Sequence, residues 1–177
     1  MKSLLIITFS FIVLASGIPH LSKGSIKMID KAVKDLYPEY RVEYAMLKLK
    51  LPEIEDPEIL NNEGKWFTLH EKGQSLGWLK IDKARGRYHE FDYALIVDNN
   101  LGVSKLLVLN YPATHGNSVT GRKWLSKFIG FSPDSIPEYG KGIDAISGAT
   151  ISGSGLTESV AGSLMFLGKL QKLNLLK

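Results

Sequence analysis

The spacing of apolar residues divides the first third of the chain into a helical stretch, an extended stretch and a loop. Between Ile26 and Leu36 apolar residues recur every three or four positions, which predicts an amphipathic helix that ends before Pro38. From Arg41 to Leu51 apolar and polar residues begin to alternate, which predicts a strand. Residues 52–64 are acidic and rich in turn-forming residues, so we expect a loop there.

From Lys65 onward the pattern becomes that of an antiparallel meander. Short runs of aromatic and branched residues predict about four strands, and turn-forming residues such as Lys72-Gly73 and Arg85-Gly86 separate them. Pro112 ends the meander. The predicted strands are KWFTLHE, SLGWLKID, YHEFDYALIVD and VSKLLVLNY.

The last third returns to helical spacing. We predict a loop over residues 113–123, a short helix from Lys123 to Ile129, a second loop over residues 130–143 and a terminal helix from Leu156 to Leu176. The whole chain therefore predicts an α+β fold, with an antiparallel β meander packed with N-terminal, middle and C-terminal helices.

Composition narrows the function classes. The chain has 177 residues, of which 44% are hydrophobic and 23% charged, so it is long and apolar enough to form a core. Its formal charge of +4 comes from Lys and Arg spread along the sequence, which is not the pattern of a nucleic-acid-binding protein. It has no cysteine, and its four histidines lack ligand spacing, so we expect no disulfide and no metal site.

The N-terminus has the pattern of a secretory signal peptide. Lys2 precedes an apolar run from Leu4 to Ala15, and the small residues Ala15-Ser16-Gly17 follow. The run is shorter than the ~20 residues that span a bilayer, although an uncleaved anchor is the alternative. We therefore expect an extracytoplasmic, periplasmic or cell-envelope protein with a signal peptide or anchor at 1–17, an extension at 18–64 and a domain at 65–177.

The stretch DAISGATISGSG, residues 144–155, carries the chemistry. A glycine-rich turn before a helix presents free N–H groups to an anion, and Thr150 adds a hydroxyl that can bind a phosphate or be esterified to it. No Walker lysine follows, and no G-x-S-x-G is present. The alternative is a plain helix cap, because Ser154 precedes Glu158 at close to capping-box spacing.

The segment from Asp144 to Thr150 resembles the D-x-x-S-G-A-T motif of the FMN-binding domain family. That family includes the G subunit of the Rnf complex and the C subunit of the sodium-translocating NADH:quinone reductase. Gly77-Trp78, 94–98 and 101–103 also resemble the family's meander, and the resemblance spans roughly residues 65–170. It implies that a flavin transferase cuts FAD and attaches FMN to Thr150 as a phosphoester.

The same resemblance implies roles for the rest of the motif. Asp144, Ser147, Gly148 and Ala149 would form the recognition sequence and the turn that holds the phosphate. The backbone N–H groups of residues 151–153 would bind the ester phosphate at the start of the helix.

Candidates for contact with the flavin ring lie in the loops before the motif. His115 lies in a Thr-His-Gly-Asn segment where many family members have a Thr-Pro-Gly-like segment, and it is a candidate to hydrogen-bond the ring. The alternative is an exposed loop histidine. Trp124, Tyr111 and Tyr139 are candidates for stacking, with a core position as the alternative for Trp124.

Together these features predict an exported electron carrier with covalent FMN, whose partners are the flavin transferase and an unknown, membrane-bound redox protein. No nucleophile or proton-transfer constellation indicates a self-contained enzyme, and no catalytic residue is predicted. A non-covalent FMN or anionic-ligand binding module, acting as a sensor or assembly subunit, is the alternative. A third hypothesis keeps the fold without flavin and gives residues 26–64 a protein contact.

Overall fold

A computed structural model describes residues 21–47, 62 and 65–176. Its helices are α1 (Lys23–Leu36), α2 (Arg122–Leu125) and α3 (Thr150–Lys172), and short 3-10 turns at Asn117–Thr120 and Ser126–Phe128 flank α2. Its strands are β1 (Glu43–Met46), β2 (Trp66–Glu71), β3 (Gln74–Ala84), β4 (Phe91–Asp98), β5 (Val103–Asn110), β6 (Glu138–Tyr139) and β7 (Gly142–Ile143).

The first five strands form one antiparallel sheet in the order in which they occur in the chain, β1-β2-β3-β4-β5. Tyr44 pairs with Leu69 across β1 and β2, and Trp78 pairs with Val97 across β3 and β4. The short strands β6 and β7 pair separately, in parallel. The predicted α+β fold, a meander with helices at the start, middle and end, is confirmed.

The sheet is covered on both faces, which explains why β4 is buried without interruption from Tyr93 to Val97. One face packs against α3, where Trp78 and Leu95 belong to the same buried cluster as Leu164. The other face packs against α1, where Leu79 and Ile96 share a second cluster with Ile29 and Val33. Because α1 and β1 join this sheet and core, residues 21–47 of the predicted extension contribute to the same fold.

The predicted bounds of the first elements are partly right. Helix α1 begins three residues earlier than predicted because the side chain of Ser22 caps it, accepting a hydrogen bond from the Ser25 N–H at 3.0 Å. The predicted strand over residues 41–51 is shorter at its start, and its last residues lie outside the described part. The predicted loop over 52–64 and the segment 1–17 also lie outside it, apart from Asn62.

The terminal helix departs most from its prediction. It begins at Thr150, six residues before the predicted start, so Gly153 and Gly155 are helical rather than part of a tight turn. Both approach a neighbour closely: a Cβ on Gly155 would lie 2.1 Å from the carbonyl oxygen of Arg85, and one on Gly153 would lie 2.7 Å from the Tyr139 ring. Helix packing therefore needs these glycines although they weaken the local helix pattern.

A buried lysine lies between the sheet and α3. Lys80 is 4% exposed, and its Nζ is 3.0 Å from the Oγ of Ser163 and 3.1 Å from a carboxylate oxygen of Asp82. Burial lowers the pKa of Lys80, although Asp82 partly offsets this. Burial by itself would raise the pKa of Asp82, but Lys80, the Lys83 N–H and Lys65 outweigh it, so the pKa of that carboxyl is lowered.

Among the described residues, no helix is both long enough and apolar enough to cross a bilayer.

Candidate functional site

The motif residues 144–150 form an exposed turn that leads into α3. Gly148 has a φ of +75°, a left-handed conformation that favours glycine, and open space surrounds the position where a Cβ would stand. Ala149 is the residue before the helix and is buried, whereas Ser147 and Gly148 are exposed. Thr150 is the first residue of the helix and is exposed, so the turn presents its hydroxyl to solvent.

The first turn of α3 presents free backbone N–H groups beside that hydroxyl. The Gly153 N–H donates to the Ala149 carbonyl at 2.8 Å, so the intrahelical bonds begin there. Within the described part of the chain, the N–H groups of Thr150, Ile151 and Ser152 have no acceptor. The prediction of N–H donors at 151–153 is therefore wrong for Gly153, whose N–H is used by the helix.

Ser154 does not cap the helix. It lies in the second turn of α3, and its hydroxyl donates to Oε1 of Glu158 at 2.7 Å on the helix surface. Because α3 begins at Thr150, the spacing that suggested a capping box falls inside the helix. The N-cap residue, Ala149, makes no side-chain cap hydrogen bond.

Two aromatic side chains form hydrogen bonds with the backbone of the motif turn. The indole N–H of Trp124 donates to the carbonyl oxygen of Asp144 at 2.8 Å, and the Ile146 N–H donates to the hydroxyl oxygen of Tyr139 at 3.0 Å. Trp124 is 8% exposed and packs edge-on against Phe128, with 5.1 Å between the ring centroids. This placement favours the core alternative for Trp124, while stacking by the half-buried Tyr139 stays a prediction.

The acid of the motif is paired with a cation from the middle of the chain. The exposed carboxylate of Asp144 contacts the Nζ of Lys127, which follows α2. The turn is therefore bound to the α2 region through both the backbone and the side chain of Asp144, since the same residue accepts from Trp124. Sequence reasoning did not identify Lys127, because a surface lysine has no distinctive pattern.

A third support comes from the end of β5. The Tyr111 hydroxyl lies 2.9 Å from the Oγ of Ser152 and donates to the carbonyl oxygen of His115 at 3.0 Å. A Cβ on Gly116, whose φ is +84°, would lie 2.5 Å from that hydroxyl, so the loop needs glycine there. The side chain of His115 is exposed, with Nδ1 3.1 Å from Thr114 Oγ1, and its contact with a ring stays a prediction.

The β3–β4 loop, residues 85–90, also borders the start of α3, which the sequence reasoning missed. The carbonyl oxygen of Arg85 would lie 2.1 Å from a Cβ on Gly155. A Cβ on Gly86 would lie 3.4 Å from the Oγ of Ser152. The loop carries Tyr88, which is 63% exposed and has the Arg87 guanidinium 5.3 Å from its ring centroid. The sequence feature that reflects this contact is the pair Gly153 and Gly155, because two glycines in one helical turn allow another segment to approach closely.

The site therefore combines an exposed hydroxyl, free N–H donors and a turn held by contacts from several segments. The Thr150 hydroxyl has no hydrogen-bond partner in the described part of the chain, so no base in that part activates it. The described ranges also contain no group of three potential metal ligands among His, Cys, Asp and Glu. Such a site suits a phosphate group that another protein places on Thr150, or an anion that binds the N–H groups.

Comparison with known proteins identifies the fold. No family model and no curated protein matches the sequence. The crystal structure of Shewanella oneidensis NqrC superposes with a TM-score of 0.54 and 16% sequence identity, covering 86% of this chain and 100% of that chain. The chain has the NqrC fold. At this identity the likeness establishes the arrangement of the sheet and helices, and the functional assignment depends on the residues of the site.

Proposed function

We propose that this protein is an electron carrier that holds one FMN, attached through a phosphoester to Thr150. The observation that carries the proposal is the position of Thr150, which is exposed, is the first residue of α3 and ends the seven-residue match to the flavinylation motif. NqrC is the C subunit of the sodium-translocating NADH:quinone reductase, one of the proteins that the motif resembles. The fold is therefore compatible with the function that the motif indicates.

The residues present fit the cofactor. The free N–H groups of Thr150, Ile151 and Ser152 provide donors for the phosphate at the positive end of a 23-residue helix. Gly148 leaves open space beside them. Ile151 is 43% exposed, so apolar surface adjoins the acceptor. When bound, FMN supplies the one- or two-electron chemistry, and the chain's own residues bind and orient it.

The attachment needs a transferase. One Thr150 O–P bond forms, the P–O bond between the FMN and AMP parts of FAD breaks, and the threonine proton leaves with AMP. Since no base in the described part of the chain contacts Thr150, the transferase must supply the base. Asp144, Ser147 and Gly148 are exposed, so a transferase can read the motif on the folded surface.

The location and the redox partner complete the proposal. We place the domain outside the cytoplasm, because the apolar run from Leu4 to Ala15 has the pattern of a signal peptide or anchor. A membrane-bound redox protein is the proposed partner. The absence of a nucleophile–base constellation in the sequence favours a carrier over a self-contained enzyme.

The deciding experiment is the intact mass of the protein exported from a host that has the flavin transferase, together with in-gel fluorescence after denaturation. We expect a gain of one FMN minus one water, and fluorescence that stays on the band. Thr150→Val should abolish both signals, while Ser154→Ala, a change to a hydroxyl four residues later, should preserve them. Covalent flavin on Thr150→Val would overturn the assignment. The same mass reports whether the N-terminal segment has been removed.

A non-covalent module is the second candidate, because the three free N–H groups can bind a phosphate without an ester bond. Flavin that copurifies but is lost on denaturation, with an unmodified protein mass, would favour this candidate.

A further inference from the structure

Helix α1 carries a row of lysines on its outward side. Lys23, Lys27, Lys31 and Lys34 follow one another at intervals of four, four and three residues, so they lie along one side of the helix. All four are exposed, whereas Ile29, Ala32 and Val33 on the opposite side are buried against the sheet. We call these four residues the lysine row.

The charge of the lysine row is not neutralised locally. None of the four has a carboxylate within 4.0 Å in the described part of the chain. Two acids belong to the same helix: Asp30 accepts a hydrogen bond from the Tyr44 hydroxyl at 3.2 Å, and Asp35 is exposed at the adjoining groove. The outward side of α1 therefore carries an excess of positive charge, because its four lysines outnumber the two acids of the helix.

Beside the lysine row lies a groove of about 270 Å³ between α1, β5 and the α2 region. Its lining adds two further cations, Lys105 and Arg122, which outweigh its one acid, Asp35. The lining also includes the apolar side chains of Met28 and Ile129, which are 40% and 51% exposed. Cations around exposed apolar side chains are the combination that binds the interface of an anionic bilayer, where phosphates and acyl chains meet.

The chain length before α1 favours a membrane over a soluble anion. Seven residues, 16–22, separate the end of the apolar run from Lys23, so an end held in a bilayer keeps Lys23, the first residue of the row, within about 25 Å of its surface. We propose that the lysine row and the adjoining groove bind the anionic phospholipid headgroups of the membrane surface. Helices α1 and α3 cover opposite faces of the sheet. When α1 contacts the bilayer, Thr150 at the start of α3 therefore lies on the side of the sheet that faces away from it.

The test compares lysine acetylation rates in the full chain, incorporated into phosphatidylcholine nanodiscs or into nanodiscs with about a third phosphatidylglycerol. We expect the lysine row to react at least about threefold more slowly in the anionic nanodiscs, and high salt to remove the difference. Lys141 and Lys172, which are exposed elsewhere, should react equally in both.

Matched variants locate the contact. Lys27→Gln with Lys31→Gln should reduce the protection of Lys23 and Lys34, whereas Lys141→Gln with Lys172→Gln removes the same charge and should leave it unchanged. Equal acetylation of the lysine row in the two kinds of nanodisc would overturn the proposal. Protection of these lysines by glycerol phosphate in phosphatidylcholine nanodiscs would also overturn it, because it would indicate a site for free phosphate. Flavin attachment is measured separately, so its failure does not affect this test.

Discussion

The hydroxyl of Tyr111 lies 2.9 Å from the Oγ of Ser152, and this contact joins the end of the sheet to the first turn of α3. Ser152 is 2% exposed, so its hydroxyl depends on a protein partner. Because Ser152 is two residues after Thr150, the contact also holds the start of the helix, where the hydroxyl of Thr150, the proposed acceptor, is exposed.

Tyr111→Phe should therefore lower the free energy of unfolding by about 1–2 kcal/mol, because it leaves the buried Ser152 hydroxyl without this partner. It should also slow flavin attachment, since the first turn of α3 is less firmly held. Urea denaturation and the covalent flavin fraction measure the two effects. Tyr88→Phe, which removes an exposed hydroxyl, is the control and should change stability by less than about 0.5 kcal/mol.

Asp144→Ala should lower the extent of flavin attachment while leaving the fold intact. The variant removes the carboxylate that contacts Lys127 but keeps the backbone carbonyl that Trp124 binds, so the turn retains its main support. Lys127→Gln separates two roles of the carboxylate, because it breaks the ion pair but keeps Asp144. If both variants lose the same fraction of attached flavin, Asp144 acts by positioning the turn through Lys127. If only Asp144→Ala loses attached flavin, the carboxylate contacts the transferase. Unchanged attachment in both would show that Asp144 serves the local turn.

Gly155→Ala should destabilise the protein by about 3 kcal/mol, because the new Cβ would lie 2.1 Å from the Arg85 carbonyl and must displace backbone. Gly162→Ala is the matched control in the same helix. Open space surrounds Gly162, so alanine there should stabilise the helix by up to about 1 kcal/mol. Denaturation curves of the two variants test the close contact, and equal effects would contradict it.

Asp82→Asn should cost about 3 kcal/mol at neutral pH, because it leaves the buried Lys80 charge without its carboxylate partner. The folded-state pKa of Asp82 is lowered, so its contribution is complete above the ordinary value of 3.8 and is lost as the pH falls through the folded-state pKa. Asp82→Asn should therefore lack the part of the acid-induced loss of stability that comes from protonation of Asp82.

The same variant should gain stability as the pH rises toward the ordinary lysine pKa of 10.5. The folded-state pKa of Lys80 is lowered, so over that range the unfolded chain binds more protons than the folded one. Urea denaturation at several pH values measures both slopes. Lys80→Met combined with Asp82→Asn should recover most of the lost stability, and a double variant as unstable as Asp82→Asn would contradict the pairing.

Strands β2 to β5 were predictable because each is a short run rich in branched and aromatic residues between turn formers, and that pattern is local. The two-residue strands β6 and β7 lie within the predicted loop over residues 130–143 and are too short to show such a pattern. The start of α3 was not predictable, because Gly153, Ser154 and Gly155 have the local pattern of a turn. Only the tertiary contacts of Gly153 with Tyr139 and of Gly155 with Arg85 explain glycine inside the helix. Trp124 shows the same limit: its sequence position fits an exposed stacking residue or a core residue equally well. The hydrogen bond to Asp144, twenty residues away, is a tertiary contact.

The strand order has a kinetic consequence. Every strand of the main sheet pairs with its neighbour along the chain, and short connections join β2 to β3, β3 to β4 and β4 to β5, so closing these three hairpins costs little entropy. Helix α3 must instead return across the sheet and seal its face against strands that precede it by many residues. We therefore expect docking of α3 to follow formation of the sheet, so that the turn before Thr150 becomes ordered only when the sheet that supports it is in place.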